Sequence, residues 1–180
     1  MSSSAFTIRP AARVDISILG DLVERSIRGL AGGYYDRRQI ESSLRYLYGI
    51  DSQLVDDGTY LVVECDGEVV ACGGWSWRRT PFGGDSVHDV RDETPRVPGV
   101  DAAVIRAFFV DPQWTRHGLG RMMLDACEQT ARDKGFDRYE LTATAMGVTF
   151  YASCGYREIE PLDVALPDGA ILPHVQMSKP

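Results

Sequence analysis

A single α/β (α+β) domain built around one sheet is the fold class this sequence predicts, and three observations predict it. Strand-like and helix-like patterns are interleaved along the chain, with no block of one type alone. The 180 residues suit one domain and are enough to bury a core. No internal repeat and no linker divides them, so residues 1–180 are read as one unit.

The elements follow in order. Phe6-Thr7-Ile8-Arg9 reads as a short first strand that Pro10 closes. Val14, Ile18, Leu22, Ile27 and Leu30 fall on one side of a helix over 14–30, which Gly32-Gly33 ends. Asp36 caps a second helix whose apolar positions are Ile40, Leu44 and Leu47. Asp56-Asp57-Gly58 is a turn. Residues 59–65 and 68–77 read as two strands around Asp66-Gly67, a hairpin signal of the primed-turn type. Residues 78–99 are rich in Pro, Gly and charge, which predicts a long mobile loop with few apolar anchors, a candidate lid. After the central strand and helix described below, Gly135 terminates that helix and 138–142 is another strand. Residues 147–154 form a short helix stopped by Gly155. Residues 156–160 and 175–179 are the last strands, joined through 161–173.

The chemistry concentrates between Ala103 and Gly120. An apolar run with β-branched and aromatic residues ends at Val110-Asp111-Pro112, the composition of a buried strand. A short loop carries Thr115, Arg116 and His117. Gly118, Leu119 and Gly120 then open a helix whose apolar stripe is Leu119, Met122, Met123, Ala126, Cys127, Thr130 and Ala131. The first turn of a helix has unpaired N–H groups at the positive end of the dipole. Glycines let an anion approach that backbone closely, and Arg116 and Arg121 add bidentate donors. Strand, basic glycine loop and helix therefore suit a phosphate, the alternative being a plain strand-to-helix turn with solvated arginines. A dinucleotide fingerprint is excluded, because its third glycine falls on Met123. A Walker loop is excluded too, because no Gly-Lys-Ser/Thr triplet occurs.

Composition narrows the classes further. A net charge of -7 argues against a nucleic-acid binder. No apolar run is long enough to cross a bilayer, so no membrane partner is expected. The start, Met1-Ser2-Ser3-Ser4-Ala5, does not have the form of a signal peptide, which predicts a cytoplasmic location. Cys65, Cys72, Cys127 and Cys154 are scattered, with no C-x-x-C pair, and read as buried free thiols; no metal is expected.

The 103–120 stretch resembles the acetyl-CoA-binding motif of the GNAT N-acetyltransferase superfamily, Arg/Gln-x-x-Gly-x-Gly/Ala after a strand ending in Val-x-Pro. Val110-Asp111-Pro112 matches the strand end, and Gly118 and Gly120 match the small positions. Thr115 stands at the first position, with Arg116 one residue later. Phe150-Tyr151-Ala152-Ser153-Cys154-Gly155-Tyr156 is similar to the family's Phe-Tyr-x-x-x-Gly-Phe/Tyr segment. The resemblance implies a mixed, mostly antiparallel sheet flanked by helices, with two parallel central strands that splay apart. It implies acetyl-CoA as cofactor, coenzyme A as product, and direct acetyl transfer to a small-molecule or peptide amine, with a homodimer compatible. The backbone of Phe108 and Val110 would pair with the pantetheine arm. Thr115, Arg116, His117, Gly118, Leu119, Gly120 and Arg121 would hold the pyrophosphate, His117 as a donor.

Tyr151 falls at the family position that protonates the leaving thiolate, and a phenol is a proton donor at neutral pH. The base stays open: His88 and His174 are candidates by type, Glu140 or Asp89 through water, or solvent itself. Tyr34, Tyr35 and Trp77 are candidate acceptor walls, and Trp75 reads as core. Arg78-Arg79 would attract an acidic substrate or bound a strand. The rival reading is a non-catalytic acyl-CoA-sensing or protein-binding module on the same fold.

Overall fold

The computed structural model of the chain describes residues 5–180. Met1 to Ser4, where the stretch without a signal pattern begins, lie outside the described residues. Seven strands form one sheet: β1 (Phe6–Pro10), β2 (Tyr60–Cys65), β3 (Glu68–Ser76), β4 (Ala103–Val110), β5 (Tyr139–Thr144), β6 (Arg157–Ala165) and β7 (Ile171–Lys179). Their order is β1-β2-β3-β4-β5-β7-β6. Every neighbouring pair is antiparallel except β4 and β5, which run parallel. Helices α1 (Ile16–Leu30), α2 (Arg37–Tyr46), α3 (Ser52–Asp56), α4 (Leu119–Asp133) and α5 (Val148–Ser153) complete the fold. It is a single α/β unit with helices on both faces of a mixed sheet.

Period-two alternation divides the core. Tyr60 and Val62 of β2 pack with Leu19, Leu22, Val23 and Ile27 of α1. Leu61 turns to the opposite face and joins Leu124, Cys127 and Ala131 of α4. Local signals are met in detail. Asp66 and Gly67 both have positive φ, as a type I′ hairpin turn requires. The Asp36 carboxylate accepts from Gln39 N–H at 2.8 Å, and the Gln39 side chain returns to Asp36 N–H, a capping box. All four cysteines are free and buried, and burial pushes the Cys72 thiol up to about 12.

Three features differ from the sequence reading. Helix α3, capped by Asp51, fills the stretch before the expected 56–58 turn, where the sequence predicts no element. The last two strands run on through Pro161 and Pro173 to a turn at Leu166–Ala170. Proline is tolerated there because β6 is an edge strand and β7 has left β5 by Pro173, so no ladder donor is missed. The long loop, residues 77–102, is tied down by backbone bonds as well as by Phe82 and Val87, which pack against the core. Thr80 N–H donates to Asp92 O at 2.8 Å, Arg96 N–H to Trp77 O at 2.7 Å, and Gly84 N–H to Leu47 O at 3.0 Å.

Candidate functional site

The parallel pair β4/β5 makes only two register contacts, Ala103 with Tyr139 and Val104 with Glu140. Beyond Val104 the strands diverge. On its other side β4 stays on β3, but with a bulge: two residues, Ala107 and Phe108, oppose Gly73 alone. Ala107 has φ 58°, a strained left-handed backbone for a residue with a side chain. The Phe108 ring fills the hollow over Gly73, where an added Cβ would lie 2.4 Å from it. Asp111 N–H donates to Val70 O at 2.9 Å. By strand alternation, the amides and carbonyls of Val110 and Phe108 turn the other way, into the gap.

The gap opens into a cleft of about 800 Å³ that runs along β4 from the start of α4 to the region of α1, Tyr48 and His174. At one end stands the glycine loop. Arg116 (φ 68°) and Gly118 (φ 78°) are both left-handed, and this turns consecutive amides to one side as a nest. Gly118 is the N-cap of α4, and the first intrahelical bond there runs from Met122 N–H to Gly118 O. The N–H groups of Leu119, Gly120 and Arg121 have no intrahelical partner. A Cβ at Gly118 would meet nothing within 4 Å, so the approach to this backbone is open. A Cβ at Gly120 would lie 3.0 Å from the Phe150 ring, so this glycine lets α4 and α5 meet. Arg116 forms no ion pair or hydrogen bond with the described residues. Arg121 donates to Ser153 O at 3.1 Å. The Thr115 hydroxyl donates to Pro112 O at 3.2 Å. His117 is turned out of the cleft: its Nδ1 lies 2.9 Å from Thr115 O, and its ring packs on Trp114 and Phe6.

Tyr151, on α5, lines the cleft midway, with its ring 6.2 Å from Phe108, 4.9 Å from Phe150 and 5.7 Å from Tyr156. Burial pushes its phenol above the ordinary value, so it stays protonated at neutral pH. Its hydroxyl makes no hydrogen bond with the described residues.

At the far end His174 is buried beside Thr144, its register partner on β5. Its Nδ1 lies 3.0 Å from the Leu172 carbonyl, which can only accept, so Nδ1 carries the proton. Nε2 therefore accepts from the Tyr48 hydroxyl at 3.0 Å. Burial lowers the His174 pKa and keeps the ring neutral, although the bond to Leu172 O and the charge of Asp163 on β6 oppose this. Tyr48 and His174 both line the cleft. Tyr34 is exposed at its edge. Tyr35 is buried behind it, bonded to Pro173 O and Ala145 N–H. Trp77 lies elsewhere, against Trp75 and Lys134. Arg78 and Arg79 are held by Asp57 and Asp101, outside the cleft. His88 and Asp89 are exposed on the long loop, and Glu140 pairs with Arg96 at 2.6 Å. Tyr48, Phe82 and Arg106 also line the cleft, and no motif in the sequence marks them. Among the described residues no cluster of His, Cys, Asp and Glu could hold a metal, and no helix is long and apolar enough to cross a membrane.

Comparison with known proteins agrees with this geometry. The sequence pattern of the acetyltransferase (GNAT) family matches residues 26–156. No curated protein matches the chain as a whole. Among solved structures, a GCN5-related N-acetyltransferase from Rhodopseudomonas palustris superposes with a TM-score of 0.72 at 20% identity, covering 99% of this chain and 98% of that one. The PaiA N-acetyltransferase of Thermoplasma acidophilum, solved with coenzyme A, gives 0.65 at 16%, covering 97% and 98%. The yncA protein of Salmonella typhimurium, described as a putative acetyltransferase and solved with acetyl-CoA, gives 0.62 at 19%, covering 97% and 92%. At these identities the likeness establishes the fold.

Proposed function

As the chain belongs to the acetyltransferase (GNAT) family and is an acyltransferase, we propose that it moves an acetyl group from acetyl-CoA to a primary amine of a small molecule or peptide. The observation that carries this reading is the splay of β4 and β5, with an open helix N-terminus at one end and a free phenol at its middle. The residues present fit the cofactor: an unobstructed left-handed Gly118, three unpaired N–H groups and an unpaired Arg116 form an anion cradle. When bound, acetyl-CoA supplies an acetyl group activated as a thioester, which an amine can attack directly with no covalent enzyme intermediate.

The side chains divide the proton work. The amides of Leu119, Gly120 and Arg121 hold the pyrophosphate, with Arg116 and Arg121 beside them. The backbone of Val110 and Phe108 orients the arm along β4. Tyr151 holds a proton on Oη for the departing sulfur. Tyr48 and His174 take the proton that the attacking amine loses: Tyr48 Oη accepts it as its own proton passes to His174 Nε2, leaving an imidazolium. Burial favours neutral His174 beforehand, so the sink is in its accepting form at pH 7.

Calorimetry with acetyl-CoA, together with amine-dependent release of free thiol, tests the reading. In Gly120→Glu, the new side chain must displace the Phe150 ring or enter the cradle with its negative charge. Affinity should fall by about a hundredfold or more, since like charges brought together cost several kcal/mol. Unchanged affinity in a folded variant would overturn the cradle assignment. Tight acetyl-CoA binding with no thiol release from any amine would make the chain a sensor.

A further inference from the structure

The far end of the cleft has a composition of its own. Its walls are Leu30, Tyr34, Leu47, Tyr48, Phe82 and His174. Not one residue lining the cleft, at either end, is an aspartate or a glutamate. The chain has 26 acidic residues and a net charge of -7, so acidic side chains are plentiful, yet they stand elsewhere.

The charges behind the wall point the same way. Arg106, on β4, has a side chain that is only 4% exposed. Its Nη2 lies 2.8 Å from Asp51 Oδ2 and donates to Gly83 O at 2.7 Å. Arg91 approaches the other oxygen of the same carboxylate at 3.4 Å. Two guanidiniums thus share one fully buried carboxylate, and positive charge is in excess. The Nε of Arg106 is buried with no hydrogen-bond partner, an N–H donor left open on a positively charged group.

An ammonium placed at this end would find aromatic faces and no carboxylate lining the cleft. Tyr48 and Tyr34 can receive one such group, the reacting amine itself, through cation–π contact. A second ammonium on the same acceptor would be desolvated next to an excess of positive charge. Apolar surface on the acceptor would instead cover Leu30, Leu47 and Phe82.

We propose that this end of the cleft selects acceptors in which one primary amine is carried on an aromatic or aliphatic body with no second cationic group. The inference rests on the acetyl-transfer reading and names its substrate class. It excludes polyamines and lysine-rich peptides as good acceptors, although the acidic net charge of the whole chain would attract both.

Thiol release by the wild-type protein with 2-phenylethylamine, spermidine and a lysine-rich peptide tests it, with acetyl-CoA binding measured in parallel. The expected kcat/KM for 2-phenylethylamine exceeds that for either polycation by at least about tenfold. Equal or better turnover of spermidine or the peptide overturns the inference and leaves the transfer reading standing. Turnover of none of the three, with acetyl-CoA bound, overturns the inference; loss of acetyl-CoA binding as well removes the transfer reading itself. A second arm uses Tyr34→Glu, at an exposed position where folding is not at stake. The added carboxylate should shift the ratio toward spermidine by about tenfold. An unchanged ratio would mean that charge at this end does not select.

Discussion

At the α4 end of the cleft the proposed binding groups belong to the backbone, and at the far end they belong to side chains. The cradle consists of unpaired amides of Leu119, Gly120 and Arg121, aimed by two left-handed residues, Arg116 and Gly118. The far end consists of Tyr34, Tyr48, Phe82 and His174, drawn from four separate stretches of chain. A backbone site recognises what every acetyl-CoA molecule shares, a pyrophosphate, and needs only glycines at fixed spacing. A side-chain site recognises what differs between acceptors, and each wall is set by one residue. Substitutions at the first end should move cofactor affinity. Those at the second should move turnover, its pH profile and acceptor choice.

The largest expected effect lies between the two ends. Tyr151→Phe removes one proton donor and keeps the ring among Phe108, Phe150 and Tyr156. General acid catalysis is worth about 10²–10⁴-fold, so kcat should fall within that range while acetyl-CoA affinity stays the same. Burial raises the Tyr151 pKa, so any alkaline limb it produces begins above the ordinary phenol value. Single-turnover kinetics isolates the transfer step. A wild-type rate there would reduce Tyr151 to a packing residue.

His174 should come next, with about a hundredfold loss of kcat for His174→Gln, the lower range for a general base. A control readout separates chemistry from packing. Burial holds the folded-state pKa below the ordinary histidine value of 6.5. Below that pH the unfolded chain binds a proton that the folded chain still refuses, so stability rises with pH through this window and levels off above 6.5. The groups facing the ring are Tyr48, Tyr35 and Asp163. Thermal melts from pH 5 to 7 should show this slope in the wild type and a weaker one in His174→Gln. The acid limb of kcat should vanish in the same variant. If melts and acid limb both stay as in the wild type, His174 does not titrate here, and the proton leaves by another route.

How far each end could be read in the sequence follows from the same contrast. Gly118, Gly120 and Val110-Asp111-Pro112 are local and lie in one stretch, so a strand, glycine loop and helix start suited to phosphate are visible before any fold is known. The side chain of His117 was not predictable: a histidine beside a phosphate loop suggests a donor, but Trp114 and Phe6 capture its ring. At the far end the sequence offers only residue types. Tyr35 and Trp77 look like walls, yet Tyr35 bonds to Pro173 O behind the cleft and Trp77 packs edge-on against Trp75. Tyr48 and Phe82 carry no motif, because their placement depends on the α2 turn and on loop bonds such as Gly84 N–H to Leu47 O. The fold was more legible, since alternation and Asp66-Gly67 act locally. The run of β6 and β7 through two prolines was not, because only sheet order shows that those prolines face an edge.

The smallest effect should come from Arg116, and it tests how far the cradle depends on its backbone. Its guanidinium is exposed and unpaired, and in the proposed cradle it would add one charged contact to a pyrophosphate held by three amides. Such a contact is worth about 1.5–3 kcal/mol at most and less in exposed surroundings. Arg116→Ala should weaken acetyl-CoA binding by about tenfold at low salt. Salt screens an exposed charge within about 8–10 Å, so the gap between variant and wild type should narrow as ionic strength rises. The left-handed φ of 68° stays in place with alanine, which keeps the amides aimed. Arg116→Gly relaxes that strain and frees the loop. If the backbone does the binding, Arg116→Gly should bind more weakly than Arg116→Ala, although both lack the charge. Calorimetry of both variants at two salt concentrations separates the contributions. A loss above 3 kcal/mol in Arg116→Ala, insensitive to salt, would place the main phosphate contact on the side chain and reverse the contrast drawn between the two ends.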